Sequence, residues 1–344
     1  MKELFKNSIY YIGSLKIFNR FIRPWRGRTA ILCYHRVLPD EIVNVDKSPL
    51  KDMVVSVSNF EEQMKFIHNN YTVVSMDQLI DHLNSKSKEF VVAVTFDDGY
   101  IDNYTHALPI LDSYNIPATI YITTRFPEKD CEMFWYELWE LINSKNKIIF
   151  RNRGKLYKFK LTNNKSRIIV FNKLKNIINQ EDPLSQKKIM SRIRGNVEKI
   201  NYFNICLNWE EIKNISQYPN ISIGSHSHSH YSFGILNDNE KNTELYHSKK
   251  LIEKNLGMKI NHFAYPFGQM KDCNLKDSKI LHDLGYKSAS VAFPFKLHCN
   301  SFNQYYLPRI VINDSPISTF KSKLNGCINL FSYLRNKTPN DILD

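Results

Sequence analysis

The stretch that most limits what this chain can fold into is Val91 to Gly99, VVAVTFDDG. A short, unbroken apolar run of this kind predicts a strand covered on both faces, the kind found in the parallel sheets of α/β proteins. It ends on two adjacent carboxylates, Asp97 and Asp98, and a glycine. Carboxylates at the buried end of a strand are costly to take out of water unless a metal cation, a basic partner or a catalytic role compensates them.

The rest of the chain repeats the strand and helix alternation. Arg28–Val37 predicts a strand ending in Tyr34-His35-Arg36, and Ser58 with Glu61 predicts the capped start of a helix to Asn69. Val73 and Val74 form a brief strand, and Ser75 caps a further helix. After the acid strand come a helix over Asn103–Tyr114 and a strand over Ala118–Ile122. The alternation then lapses. Residues 135–200 read as largely helical and basic without a buried strand, an insertion on the main domain. It resumes with a helix at Asn208–Gln217 and a strand at Ile221–Ile223 that runs into Gly224-Ser225-His226-Ser227-His228-Ser229-His230. Later, Ile260–Ala264 runs into Tyr265-Pro266-Phe267-Gly268, and Leu307–Ile312 is the last strand. This order predicts an α/β fold with a parallel sheet, open or closed into a barrel.

Charge is unevenly placed. Of the formal net charge of +13, all is accounted for by residues 145–199, which hold 16 Lys and Arg against 3 Asp and Glu; the remainder balances at 31 against 31. Compositional drift or a surface built for an anionic partner would both give this. Residues Leu4–Ile22 form a basic amphipathic pattern stopped by Pro24, suited either to a membrane interface or to packing on the main domain. No apolar run is long enough to span a bilayer, and the start lacks the pattern of a signal peptide. The six cysteines are scattered without a CxxC pair, which favours reduced thiols in a cytoplasmic protein. The expected organisation is an N-terminal basic helix over residues 1–27, a main α/β domain over 28–320 with the basic insertion at about 135–205, and a tail over 321–344.

Several predicted strands end in chemically competent residues: His35, Asp97 with Asp98, His226 with His230, Pro266-Phe267-Gly268, and Arg309. Sites in parallel α/β folds form where the C-terminal ends of strands converge. His226 and His230 are four apart, which on a helical turn would place both rings on one face, and two histidines with one carboxylate form a common catalytic metal set. Adjacent acids suit a division of labour, one on the ion and one taking a proton from water. Each signal has a plainer alternative: a solvated histidine loop, or two acids capping the next helix.

Taken together, TFDDG at Thr95–Gly99, GSHSHSH at Gly224–His230 and YPFG at Tyr265–Gly268 closely resemble the NodB-homology polysaccharide deacetylases, carbohydrate esterase family 4. The flanking YHRV, SVSNFEEQMKFI, NWEEI and LPRI pieces resemble that family as well. The resemblance runs from about Ile31 to Ile312, interrupted by the basic segment. It implies a distorted (β/α) barrel and a divalent metal, zinc first with other first-row ions open. Asp98, His226 and His230 are then the ligands, Asp97 is the general base, and the Phe267 N–H is an oxyanion donor.

This chain departs from the pattern in three places. The arginine that orients the base in the third motif is replaced by Ala264, the aromatic of a fourth motif is not identifiable, and the late Leu-x-His has no clean match because Leu297 and His298 are adjacent. Arg309 is the expected substitute for the orienting arginine, and His35 or His298 for the general acid. The expected reaction is removal of an N-acetyl group from an acetamido sugar in a polysaccharide, glycolipid or glycan precursor. A cell-envelope precursor at an anionic inner-membrane face suits the basic segments. The alternatives are a deformylase or O-acetyl esterase on a lipid-linked sugar, or a weakened glycan-binding homologue. No nucleic-acid partner is expected.

Overall fold

The computed structural model describes residues 27–85, 87–130, 133–199, 202–294 and 302–327. The basic helix expected within residues 1–27, His298, and the tail beyond residue 327 lie outside the described residues.

Seven parallel strands close into a barrel: β1 Thr29–Tyr34, β2 Val91–Phe96, β3 Ala118–Ile122, β4 Ile221–Ser225, β5 His262–Ala264, β6 Ser288–Val291 and β7 Leu307–Val311. Each strand lies beside the next in chain order, and β7 returns to β1 with Ile31 opposite Arg309. On its other edge β1 pairs with β2, Tyr34 opposite Phe96. This is the (β/α) barrel expected from the alternation, closed rather than open. A two-residue strand, Thr72–Val73, adds to the first half of β2.

β2 is buried along its whole length, because its two faces meet different layers. Val92, Val94 and Phe96 share a core with Phe60, Met64 and Ile67 from the helix Val57–Asn70. Val91 and Ala93 pack instead with Met76, Leu79 and Leu83 of the helix Met76–Asn84, together with Ile31 and Leu307. Ile31, Val91 and Leu307 lie at or near the starts of their strands, so this helix closes the N-terminal end of the barrel. Arg309 of β7 reaches Thr95 and Asp97 and sits 5.5 Å from the Tyr121 ring of β3. Contacts between strands that are not neighbours place these side chains inside the barrel, where they lead to its open, C-terminal end.

Over that end lies the segment after β3. It holds α1 Phe134–Ser144, an antiparallel hairpin of Lys147–Asn152 with Lys155–Lys160, α2 Asn164–Asn179 and α3 Pro183–Arg194. Its core of Leu138, Ile148, Leu174 and Ile189 is continuous with Tyr100 and Phe126 from the barrel loops. A partly buried Arg194–Glu137 ion pair ties α3 to α1, and Lys145 Nζ donates to the carbonyls of Ile193 and Arg194 at the end of α3.

Four local expectations are corrected. The basic segment contains the hairpin, whose first strand alternates exposed and buried residues strictly; outward lysines and arginines hid a period of two. The strand expected over Arg28–Val37 breaks at His35 into β1 and a short strand, Arg36–Leu38, that pairs with Val54–Ser56. The helix expected to begin at Ser58 is capped by Ser56, whose Oγ accepts from the Asn59 N–H and donates to Asp314. A π-helical turn, Asn103–Ala107, opens the helix expected over Asn103–Tyr114. No helix among the described residues is long and apolar enough to cross a membrane.

Candidate active site

β1, β2, β4, β5 and β7 deliver the polar groups to the open end of the barrel. The turn after β2 is tight: Asp98 and Gly99 both have left-handed backbone, φ 73° and 71°. The left-handed backbone favours glycine at position 99, and a Cβ there would also press on the Ile122 Cδ1 at 2.8 Å. Asp98 accepts this backbone as a non-glycine residue, as do Ser227, His230 and Phe267. Strained backbone gathered at one end of a fold marks a functional site.

Asp97 is 2% exposed and Arg309 is fully buried. They form a two-pronged ion pair, Nη1 to Oδ1 at 2.6 Å and Nη2 to Oδ2 at 2.7 Å. Arg309 Nε donates to the Val291 carbonyl and Nη1 also to Thr95 Oγ1, so the guanidinium is fixed on both sides. Cys33 Sγ, 3.4 Å from Asp97 Oδ2, donates to the same carboxylate. Burial alone would raise the Asp97 pKa; Arg309, then His226, outweigh it and hold the carboxyl down to about 2. Arg309 therefore stands where the sequence left Asp97 without an orienting cation at Ala264.

Asp98 faces the histidines. Its Oδ1 lies 3.4 Å from His226 Nε2 and 3.0 Å from His230 Nε2. One ligand atom from each of the three lies within 4.8 Å of the others. The histidines are not on a helical turn, as their spacing suggested. β4 ends at Ser225, and the loop turns back through left-handed Ser227 and His230. Glu244 holds this loop by accepting from the N–H groups of His228 and Ser229, and the His230 N–H donates to Ser227 Oγ. His228 points away, its Nδ1 against Thr124 Oγ1 at 2.8 Å.

The donor set suits a divalent ion. His226 Nδ1 is 2.8 Å from the Ala264 carbonyl, which can only accept, so that nitrogen carries the proton and Nε2 keeps its lone pair. Burial holds the His226 pKa down to about 4, which keeps the ring neutral. Asp98 Oδ1 is buried without a hydrogen-bond donor. Asp, His and His with room beside them form the open three-ligand set of catalytic zinc sites.

Two other predicted residues border this cluster. His35, just past β1, places a ring nitrogen, with Cys33 Sγ and an Asp97 oxygen, in a group spanning 4.8 Å or less. Burial lowers its pKa. The Phe267 ring packs on His230 at 4.8 Å between centroids, and its left-handed backbone leads into Gly268, where a Cβ would strike the Ala292 nitrogen at 2.5 Å. His35, Asp97, Asp98, His226, His230 and Phe267 line one cavity of about 380 Å³, with Arg309 and Cys33 behind its wall. Sequence reasoning missed Cys33 and Trp135, whose ring is 5.0 Å from that of His230. Nothing in the local pattern around either residue signals a site.

A model of the polysaccharide deacetylase family matches residues 84–289. The chain belongs to the polysaccharide deacetylase family. The enzyme class expected from the sequence is that of this family. YxkH of Bacillus subtilis (strain 168), whose name places it among the polysaccharide deacetylases, is 35% identical over 99 residues, which are 28% of this chain and 32% of that protein. Two solved structures share the barrel. The Streptococcus pyogenes deacetylase PplD, solved in complex with acetate, is 19% identical with a TM-score of 0.55 over 86% of this chain and 97% of that one. A de-N-acetylase from Aggregatibacter actinomycetemcomitans is 18% identical with a TM-score of 0.53, over 85% and 98%. At these identities the likeness shows the fold: the closed barrel here is that of NodB-type deacetylases.

Proposed function

We propose that this family member is a metal-dependent hydrolase that removes N-acetyl groups from an acetamido sugar in a polysaccharide, glycolipid or glycan precursor. The observation that carries this reading is the meeting, in one cavity, of the Asp98, His226 and His230 ligand atoms with an Asp97 clamped by Arg309. Asp98, His226 and His230 would hold the ion, with zinc the first candidate. When bound, it polarises the acetyl carbonyl and lowers the pKa of water.

The chain's own groups do the rest. Asp97, kept ionised by Arg309, takes a proton from the attacking water as its oxygen bonds to the acetyl carbon. The Phe267 N–H donates to the developing oxyanion. His35 enters as the neutral ring, within reach of Asp97. It takes over the proton that Asp97 removed from water and passes it to the sugar nitrogen as the C–N bond breaks, which leaves Asp97 ionised and His35 neutral again. Acetate and the free amino sugar are the products. The purified protein should contain about one divalent ion per chain and release acetate from acetamido-sugar substrates. Formate release in place of acetate would mean a deformylase, and release only from O-acetyl esters an esterase. Replacing His35 by alanine should lower turnover by about 10²-fold or more while leaving metal content unchanged. Activity within a few-fold of wild type would remove His35 from the acid role and return it to His298.

The hairpin supports an anionic lipid surface as partner, at the cytoplasmic face of a membrane. Its register sets Lys147 opposite Lys160, Ile149 opposite Lys158, and Arg151 opposite Leu156. Like charges directly opposed across strands are destabilising, and Ile149 is 49% exposed among them. Cations around exposed apolar side chains suit the interface of an anionic bilayer. Co-sedimentation with vesicles rich in phosphatidylglycerol should fall for Lys147→Glu with Lys158→Glu in the full chain, and wild type should not sediment with phosphatidylcholine. Unchanged sedimentation of the variant would exclude the hairpin as the docking face.

A further inference from the structure

The wall of the cavity opposite the barrel comes from α2. Asn172, Lys175, Asn176 and Asn179 all line it, and their spacing of three, four and seven residues puts them on one helix face. The other side of α2, with Phe171, Leu174 and Ile178, is buried in the core shared with α1 and α3. The helix thus turns an amide and ammonium face, with no apolar member, toward Asp97 and Asp98.

The charges in this space do not pair off. Asp97 is committed to Arg309. Asp98 faces the two histidines. Asp272, a third acid on the wall, accepts from Ser232 Oγ and the Gln269 N–H. Lys175 and Lys271 line the same cavity, and neither forms an ion pair within 4 Å among the described residues. The acids Asp98, Asp272 and Asp52 act on Lys175 only from a distance, and Lys271 opposes them; burial, the largest influence, disfavours its charge. Asn179 adds a second, different demand: it is 7% exposed, lines the cavity, and its Oδ1, an acceptor, has no hydrogen-bond partner, so it calls for a donor such as a sugar hydroxyl. A half-buried ammonium and a buried amide left open on a cavity wall are costly unless a ligand completes them.

Resting on the deacetylase reading, we propose that Lys175, with Lys271, forms an anion-binding position beside the catalytic centre, with the Asn179 Oδ1 left to accept from a sugar hydroxyl. The substrate is then an acetamido sugar carrying a negatively charged substituent, a phosphate or a carboxylate. Lys175 sets this preference from a helix outside the barrel, so specificity and chemistry come from separate parts of the chain.

The test separates this inference from the reading beneath it. Binding of glucose 1-phosphate, glucuronate and glucose, none of which can be deacetylated, is measured by calorimetry on the full chain. Wild type should bind one of the two anions about 10- to 100-fold more tightly than glucose, the range of a charged hydrogen bond gained. Which anion binds better identifies phosphate or carboxylate. Lys175→Met should abolish the difference and Lys175→Arg should keep most of it. Melting temperatures of both variants close to wild type would show that the loss is not one of folding. Equal binding of all three ligands, or a preference unmoved by Lys175→Met, overturns the anion position. In parallel, acetate release is compared for N-acetylglucosamine 1-phosphate and N-acetylglucosamine. Anion-selective binding with no acetate from any acetamido sugar would sink the deacetylase reading and leave the anion position standing. Equal turnover of both sugars, unchanged in Lys175→Met, would do the reverse.

Discussion

Arg309→Met is expected to lower the melting temperature by several degrees and to reduce kcat by at least about 10²-fold. Methionine fills much of the space but leaves Asp97 as an uncompensated carboxylate at 2% exposure. Breaking one side of a buried ion pair in this way costs about 3–5 kcal/mol, because the surviving charge remains desolvated. The sign of the pH effect follows. In the intact protein Asp97 titrates near 2, below its ordinary value, so the pair stabilises the fold above the usual carboxylate range and that contribution is lost as pH falls through about 2. Without Arg309, burial dominates and the carboxyl pKa rises. The acid limb of kcat/KM should therefore move to higher pH, a shift that a purely structural role for Arg309 would not produce. Arg309→Lys, a point charge unable to serve both oxygens, should fall between the two. A variant with wild-type turnover and an unmoved acid limb would show that Asp97 does not depend on Arg309.

The second large effect is expected at the ligand set. His226→Ala, His230→Ala and Asp98→Asn should each weaken metal affinity by more than about 10²-fold, since loss of an outer hydrogen-bond partner alone costs 10- to 100-fold. Activity should disappear with the metal. His228→Ala is the internal control. It lies between the two ligands in sequence but bonds to Thr124, so its metal content by elemental analysis should match wild type. If His228→Ala lost the ion and His230→Ala kept it, the assignment within the HSHSH run would be wrong.

The part of this site that was legible in the sequence is the part carried by local pattern. The strand Ala118–Ile122 has the bounds its apolar run suggested. Asp97, Asp98, His226 and His230 stood out because each follows such a run, and chemistry at strand ends is what a parallel barrel exposes. What stayed hidden depends on non-local packing. Nothing around Arg309 distinguishes a buried clamp from a surface cation at a strand end; its role rests on a partner 212 residues away. The loop geometry of His226–His230 was misjudged because a spacing of four fits a helix as well as a doubled-back turn, and only the left-handed residues separate them. The hairpin was missed because alternation with lysine outward in a Lys-, Asn- and Ile-rich segment looks like the basic helices that follow it. The polar face of α2 was invisible for another reason. Asn and Lys at helical spacing are the ordinary composition of a wet surface, and only the cavity beneath them gives them a direction.

The barrel closes in chain order, and this bears on when the protein can work. β7, which carries Arg309, is the seventh of the seven barrel strands to leave the ribosome, and it must dock against β1, the first. Until then the acid, the histidines and α2 can all be present while Asp97 has no guanidinium to orient it. Activity is therefore a property of the finished ring and no shorter piece of it. A nascent or C-terminally clipped chain would carry Asp98, His226 and His230 and yet lack the clamp on Asp97, so on the proposed reading closure of the barrel is the step that completes the catalyst.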